Sequence, residues 1–99
     1  MDLAVLRDDL VEGLAQPPKE VLRSEALAGA MREVPRHQFV PAPDEAAYQD
    51  RAFEYEGTTV IAPGLVAQLL EALAPTSGDR VLVVGAGTGY TTAIAAELA

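Results

Sequence analysis

The stretch Arg80-Val81-Leu82-Val83-Val84-Gly85-Ala86-Gly87-Thr88-Gly89-Tyr90 decides the fold of this 99-residue chain. The apolar run Val81–Val84 leads directly into glycines at every second position. Such a run is typical of a strand buried on both faces of a parallel sheet. The alanine-rich residues after Tyr90 suit a helix packed closely against that sheet. The sequence therefore predicts a strand, a glycine turn and a helix, the start of a doubly wound α/β fold.

The glycine turn is a candidate ligand site. Glycine has no Cβ, so a ligand can approach the main chain, and backbone N–H groups at the start of a helix favour polar or anionic groups. Open α/β sheets bind their ligands in the crevice at this carboxyl end. The spacing is G-x-G-x-G, whereas a dinucleotide fingerprint would place its third glycine at Tyr90. A glycine-rich turn without a ligand is the alternative interpretation.

Charge and composition exclude several classes of function. Fifteen acidic residues against seven basic ones leave a net charge of −8, which disfavours non-specific binding to nucleic acid. An acidic chain with Lys19 as its single lysine is typical of proteins from salt-loving microbes. The absence of cysteine excludes a thiol nucleophile or a disulfide, and His37 alone cannot form a metal site. We therefore expect no metal.

The start of the chain and its apolar runs indicate a cytoplasmic protein. The first ten residues contain three aspartates, unlike the basic start of a secretory signal. No apolar run approaches the roughly 18 residues of a membrane span. We expect a soluble monomer that acts on neither membranes nor nucleic acid.

Three amphipathic helices are predicted before the glycine turn. Asp2 and Ser24 are candidate N-caps of the first two helices, and Pro63 suits the first position of the third. Prolines end the first helix at Pro17 and the second at Pro35. The apolar faces are as follows: Leu3, Leu6, Leu10 and Leu14; Leu27, Met31 and Val34; Leu65, Val66, Leu69, Leu70 and Leu73.

The segments between these helices are predicted to be irregular. Prolines from Pro35 to Pro43 indicate a non-helical path, and 44–47 suit one short helical turn. Residues 57–64 suggest a second glycine-flanked turn. Because one βαβ unit takes roughly 30 residues, the chain is too short for a complete doubly wound sheet. We expect the N-terminal part of a longer domain, with 1–56 as a helical and irregular cap and 57–99 as the start of the core.

Three stretches carry a resemblance to one family. Met31–Pro41, read as MREVPRHQFVP, resembles the A-M-x-x-V-P-R-H-x-F-V-P segment of protein-L-isoaspartate O-methyltransferases. Thr59–Pro63 is similar to that family's T-I-S-A/Q-P segment, and Val81–Tyr90 to its V-L-E-I-G-T-G-S-G-Y segment. The resemblance covers the chain from about residue 25 to its end.

The resemblance implies a fold, a cofactor and an activity. The fold is the Rossmann-like class I methyltransferase fold, and the cofactor is S-adenosyl-L-methionine. The expected reaction methylates the α-carboxylate of an isoaspartyl residue in a damaged protein or peptide. The segment matching Thr59 to Ala62 would lie between cofactor and substrate, with Thr59 and Ile61 at the catalytic positions. The expected cofactor-binding residues are Thr58, Thr59, Val60, Gly85, Ala86, Gly87, Thr88, Gly89 and Tyr90.

Two residues depart from the family pattern. Ile61 stands where the family has the serine expected to contact the substrate carboxylate, and Val83 replaces a glutamate before the glycine turn. These departures leave two alternatives open. One is a methyltransferase of the same fold with a different acceptor, for which the acidic charge disfavours a polynucleotide. The other is a non-catalytic cofactor-binding paralogue or fragment.

Overall fold

This computed structural model describes residues 2–84 and 87–99, and the regular elements in this part of the chain are helices and one β-hairpin. The α-helices are α1 (Leu3–Ala15), α2 (Glu25–Glu33), α3 (Pro63–Leu73) and α4 (Tyr90–Leu98). Two 3-10 helices span Arg36–Gln38 and Asp44–Tyr48, and the hairpin joins β1 (Phe53–Tyr55) to β2 (Thr58–Val60). None of the helices in this part of the chain is long and apolar enough to cross a membrane.

The predicted helix starts are confirmed. The Asp2 side chain accepts a hydrogen bond from the backbone N–H of Ala4 at 2.9 Å, and the Ser24 hydroxyl accepts one from Leu27 at 3.2 Å. Pro63 is the first residue of α3, where its missing N–H leaves no donor unpaired. The Asp2 and Ser24 side chains each pair a backbone N–H that the helix cannot pair internally.

Two apolar clusters hold these elements together. The larger one gathers residues from all four α-helices, and the smaller one lies beneath the hairpin and the second 3-10 helix. The buried members of the larger cluster are Val11, Leu14, Leu22, Leu27, Ala30, Met31, Val34, Val66, Ala67, Leu70, Tyr90, Ile94 and Ala95. Those of the smaller cluster are Val40, Ala47, Tyr48, Phe53 and Val60.

The predicted strand over Val81–Val84 is absent. The hairpin is the only sheet among the residues described, so this stretch has no neighbouring strand with which to form a hydrogen-bonded ladder. Val81 and Val83 are half-buried, whereas Leu82 and Val84 are 87% and 85% exposed. The expectation of burial on both faces is therefore wrong here: alternate side chains are covered, and the others face solvent.

The apolar face predicted for α3 is also only partly covered. Val66 and Leu70 are buried in the larger cluster. Leu65, Leu69 and Leu73 are exposed by 43%, 50% and 60%. The other helices therefore cover only the Val66 and Leu70 side of the apolar face that the sequence predicts.

The segments between α2 and α3 are more regular than the sequence predicts. The path after Pro35 was expected to be non-helical, but Arg36–Gln38 forms a 3-10 helix, whose short turns tolerate a proline at the start. The predicted helical turn at 44–47 is confirmed as the 3-10 helix Asp44–Tyr48. The hairpin was not predicted. Its two-residue loop, Glu56-Gly57, has φ of +48° and +79°, the left-handed pair that joins twisted strands tightly.

Asp50 ties the segment before the hairpin to the start of α3. Its carboxylate accepts a hydrogen bond from the Gly64 N–H at 2.8 Å and pairs with Lys19. Burial would raise the pKa of Asp50, but Lys19, the Gly64 N–H and Arg36 together hold it below its ordinary value. A Cβ on Gly64 would lie 2.9 Å from this carboxylate, so a larger residue would push Asp50 away.

Glu71 fastens α3 to the start of α2. One oxygen of its carboxylate accepts hydrogen bonds from the backbone N–H groups of Arg23 and Ser24, at 2.8 Å and 2.6 Å. Hydrogen bonds to a charged acceptor are stronger than neutral ones. The interaction complements the Ser24 cap and fixes how the two helices meet.

Replacing this carboxylate should destabilise the fold. For Glu71→Ala we expect the free energy of unfolding to fall by about 1–3 kcal/mol, because two backbone donors lose their acceptor. Urea unfolding followed by circular dichroism measures the change. Glu97→Ala on the exposed face of α4 is the control and should change stability by less than about 0.5 kcal/mol. Equal losses for the two variants would contradict this role for Glu71.

Candidate functional site

The end of the hairpin and the start of α4 meet around one cavity of about 190 Å³. Thr59, Val60 and Ile61 line one side, and Gly87, Thr88, Tyr90 and Thr91 line the other. Leu69 of α3, Val83 and Val84 complete the wall. Two segments that lie more than 20 residues apart in the sequence therefore share one concave surface.

The hairpin positions its side of the cavity through its register. Val60 pairs with Phe53, and both side chains are buried in the smaller cluster. Because successive side chains of a strand point to opposite faces, Thr59 is exposed beside its cross-strand partner Glu54. The Thr59 hydroxyl donates a hydrogen bond to Oε1 of Glu54 at 2.9 Å. The hydroxyl of a predicted catalytic residue is thus held by a carboxylate.

The other side of the cavity depends on two left-handed glycines. Gly87 has φ of +60° and Gly89, the N-cap of α4, has φ of +93°. These values are strained for any residue with a Cβ. No side chain among the described residues caps α4, so the backbone N–H groups of its first turn face outward from the helix end.

Thr88 carries an unpaired buried hydroxyl. Its Oγ1 is inaccessible to solvent and has no hydrogen-bond partner within residues 2–84 and 87–99. Thr88 also lines a second cavity, of about 400 Å³, together with Gly87 and the 38–41 segment. A hydroxyl without a partner at the wall of two cavities is suited to bind a polar ligand group.

Arg36 is fully buried behind the cavity. Its Nε donates to the Ala47 carbonyl at 3.0 Å, and its Nη2 donates to the carbonyls of Arg51 and Ile61 at 3.2 Å and 3.1 Å. Its Cζ lies 4.6 Å from the centre of the Tyr90 ring. Burial lowers the pKa of Arg36, but a guanidinium remains protonated in proteins.

Tyr90 packs between this guanidinium and Phe39. The Phe39 and Tyr90 rings are 5.9 Å apart at an angle of 57°, a tilted aromatic contact. Burial raises the pKa of Tyr90 to about 12, and the positive charge of Arg36 opposes this rise. The residue that follows the last glycine is therefore a core residue as well as part of the cavity wall.

Most of the predicted site residues lie together. Thr59, Val60, Ile61, Gly87, Thr88 and Tyr90 line the first cavity, and Gly89 begins the helix beside it. Thr58 does not line the cavity, but its Cγ2 lies 3.7 Å from where a Cβ on Gly87 would be. The predictions for Gly85 and Ala86 fall outside the described residues. The contributions of these residues to binding and catalysis remain predictions.

Sequence reasoning missed Arg36, Glu54, Leu69 and Thr91. Thr91 could have been expected, because it lies in the first turn of the helix that follows the glycines. Leu69 was assigned to the apolar face of a helix, and no local pattern indicates that it reaches the cavity. The three hydrogen bonds of Arg36 join it to residues 11, 15 and 25 positions away in the sequence, so its role depends on tertiary structure.

Residues 7–99 match the sequence model of the protein-L-isoaspartate(D-aspartate) O-methyltransferase family. The chain belongs to this family. The three motifs from which the resemblance was drawn all lie within the matched range. Membership thus confirms the family interpretation of the sequence.

Proteins named protein-L-isoaspartate O-methyltransferase are similar to this family member over most of its length. The one from Methanopyrus kandleri is 45% identical over 94 residues, which cover 93% of this chain and 41% of that protein. The one from Roseiflexus sp. is 40% identical over 100 residues, covering 99% of this chain and 44% of that protein. The chain spans less than half the length of these relatives.

A solved structure supports the same fold. It is the crystal structure of a protein from Plasmodium falciparum, which is described as a protein-L-isoaspartate O-methyltransferase in complex with S-adenosyl-L-homocysteine. The TM-score is 0.77 at 27% sequence identity, over 91% of this chain and 40% of that one. This methyltransferase family member therefore has the start of the class I α/β fold, as predicted.

The burial of Tyr90 predicts an alkaline loss of stability. Because the folded pKa is near 12 and the ordinary value is 10.0, the folded chain retains a proton that the unfolded chain loses. The contribution of Tyr90 to the free energy of unfolding is therefore complete below pH 10. It falls as pH rises toward 12, and at pH 12 about 2 kcal/mol of it is lost.

Tyr90→Phe isolates this contribution, since it keeps the ring and removes the ionisable hydroxyl. Urea unfolding between pH 9 and pH 12 should show a smaller decline for the variant than for the wild type. The rest of the chain is identical in the two proteins, so its contribution cancels in the comparison. Parallel declines would refute a raised pKa at Tyr90.

Proposed function

We propose that these residues form part of an S-adenosyl-L-methionine-dependent methyltransferase that acts on the α-carboxylate of isoaspartyl residues in damaged proteins. The observation that carries the proposal is the shared cavity, in which the family's acceptor segment and its glycine loop face each other. The names of the relatives and the S-adenosyl-L-homocysteine complex of the Plasmodium falciparum structure support it. The proposal includes a monomer in the cytoplasm, with a damaged protein or peptide as its partner.

The residues around the glycine loop fit such a cofactor. Left-handed Gly87 and Gly89 keep side chains away from the loop, and the uncapped start of α4 supplies backbone donors. The buried Oγ1 of Thr88 lacks a partner that a polar ligand group would provide. Apolar side chains, including Leu69 and Val84, suit the uncharged parts of the ligand. When bound, S-adenosyl-L-methionine supplies a methyl group on a positively charged sulfonium.

The chemistry requires positioning more than acid–base catalysis. A carboxylate is already ionised, so one of its oxygens can form the bond to the methyl carbon while the carbon–sulfur bond breaks. The products are a methyl ester and S-adenosyl-L-homocysteine. Holding the two reactants in line can supply several kcal/mol of the barrier reduction. The absence of cysteine from this chain is compatible with this reaction.

Thr59 is the proposed donor to the substrate carboxylate. Its hydroxyl donates to Glu54 in the structure, so it must turn away from Glu54 to donate to a substrate. Ile61, at the family's serine position, lines the same cavity with a hydrocarbon side chain that packs against the larger cluster. The substrate carboxylate therefore has one fewer hydroxyl donor available from the protein than in the family pattern.

A different acceptor is the second candidate function. Ile61 removes a donor suited to a carboxylate, and Glu54 places a negative charge beside Thr59. Both features favour an acceptor that is less negatively charged than an isoaspartyl group. The cofactor part of the proposal is the same for either acceptor.

Substrate specificity can be tested directly on the protein that contains these residues. With labelled S-adenosyl-L-methionine, we expect methyl incorporation into an isoaspartyl peptide and none into its aspartyl twin. Incorporation into neither peptide, together with measurable binding of S-adenosyl-L-homocysteine by calorimetry, would favour the different acceptor. No binding and no incorporation would reject the methyltransferase proposal.

Restoring the family's serine tests the role of Ile61. Ile61→Ser should raise the rate with the isoaspartyl peptide by roughly tenfold, equal to about 1.4 kcal/mol of transition-state stabilisation. Both Ile61→Ser and the matched control Ile61→Ala lose packing, at about 1–3 kcal/mol of stability. The hydroxyl distinguishes them, so only the serine variant should gain activity. Equal rates in the two variants would show that Ile61 does not limit the reaction.

A further inference from the structure

We propose that Arg36 is a positioning residue, which sets the spacing between the two sides of the cavity. The catalytic consequence of this inference rests on the proposed function, whereas the structural coupling does not. Arg36 lines neither cavity and contacts no candidate ligand group, so it would act through other residues.

The first step is the fixation of the hairpin side. Nη2 of Arg36 donates to the carbonyl oxygen of Ile61 at 3.1 Å, in the segment that leaves β2 and precedes α3. The same nitrogen donates to the carbonyl of Arg51, just before β1. One planar group therefore holds the chain on entry to the hairpin and on exit from it. The backbone that presents Thr59 and Ile61 to the cavity cannot move without breaking these hydrogen bonds.

The second step is the fixation of the glycine-loop side. The guanidinium lies over the Tyr90 ring, with 4.6 Å between Cζ and the ring centre, and this geometry suits a cation–π interaction. Tyr90 is the first residue of α4 and directly follows Gly89. The position of the ring therefore limits where the Gly87–Gly89 loop can lie.

The third step is that an arginine is required. The guanidinium is planar, with donors that point in fixed directions, and it can stack on an aromatic ring. A lysine has a single ammonium on a flexible stem, so it can keep the charge but cannot reach two separate carbonyls and cover the ring at once. Arg36→Lys therefore separates the charge of this residue from its geometry.

The experiment compares Arg36→Lys with Glu71→Ala, which weakens the packing between α2 and α3 away from both cavities. Calorimetry with S-adenosyl-L-homocysteine should show affinity at least tenfold weaker for Arg36→Lys. Glu71→Ala should bind within about twofold of the wild type, although it loses stability. Wild-type affinity in Arg36→Lys, or an equal loss in both variants, would overturn the positioning role.

A second measurement needs no ligand. In amide NMR spectra, Arg36→Lys should move the resonance of Ala62, whose N–H shares a peptide plane with the Ile61 carbonyl, together with those of Gly89 and Thr91. Glu71→Ala should instead move the resonances of Arg23 and Ser24. If Arg36→Lys moves the Ala62 resonance alone, the two sides are not coupled and the inference is wrong. If the wild type binds no S-adenosyl-L-homocysteine, the proposed function fails while these spectra still test the coupling.

Discussion

The buried guanidinium of Arg36 is the constraint on which the rest of the structure depends. A charge removed from water is costly unless its hydrogen bonds are made elsewhere. Here three backbone carbonyls, from Ala47, Arg51 and Ile61, accept hydrogen bonds from Nε and Nη2, and the guanidinium lies over the face of Tyr90, while Nη1 has no hydrogen-bond partner among the described residues. Among the described residues no carboxylate lies within ion-pair distance of it. The charge is therefore stabilised by main-chain dipoles, which join the irregular segments to the hairpin and to α4.

The same constraint explains why short, irregular elements can form a defined site. The hairpin has three residues in each strand, and a two-stranded hairpin of this size is at best marginally stable alone. Burial of Phe53 and Val60, together with the bonds from Arg36 to its two ends, holds it in place. Asp50 fixes the start of α3 immediately beyond it. Tertiary contacts thus hold the part of the cavity wall that the short hairpin contributes.

The apolar surface around Val81–Val84 has a physical explanation in the same fold. A strand acquires its hydrogen bonds from neighbours, and this segment has none among the described residues. Its side chains still alternate, because Val81 and Val83 are half-buried whereas Leu82 and Val84 are exposed. The side-chain alternation that is typical of a strand is therefore present without hydrogen bonds to a neighbouring strand.

Local sequence by itself determined the helix starts, the glycine turn and the family. Asp2 and Ser24 cap backbone N–H groups two and three residues away, and Pro63 and Gly89 set their own backbone conformation, so these effects can be predicted from the sequence. The family resemblance places Thr59 and Thr88 at one cofactor site, whereas the tertiary structure alone decided that Glu54 holds the Thr59 hydroxyl and that Arg36 is buried behind the cavity. These are contacts between distant segments. Their geometry depends on how the helices and the hairpin pack, and no local pattern of residues specifies that packing.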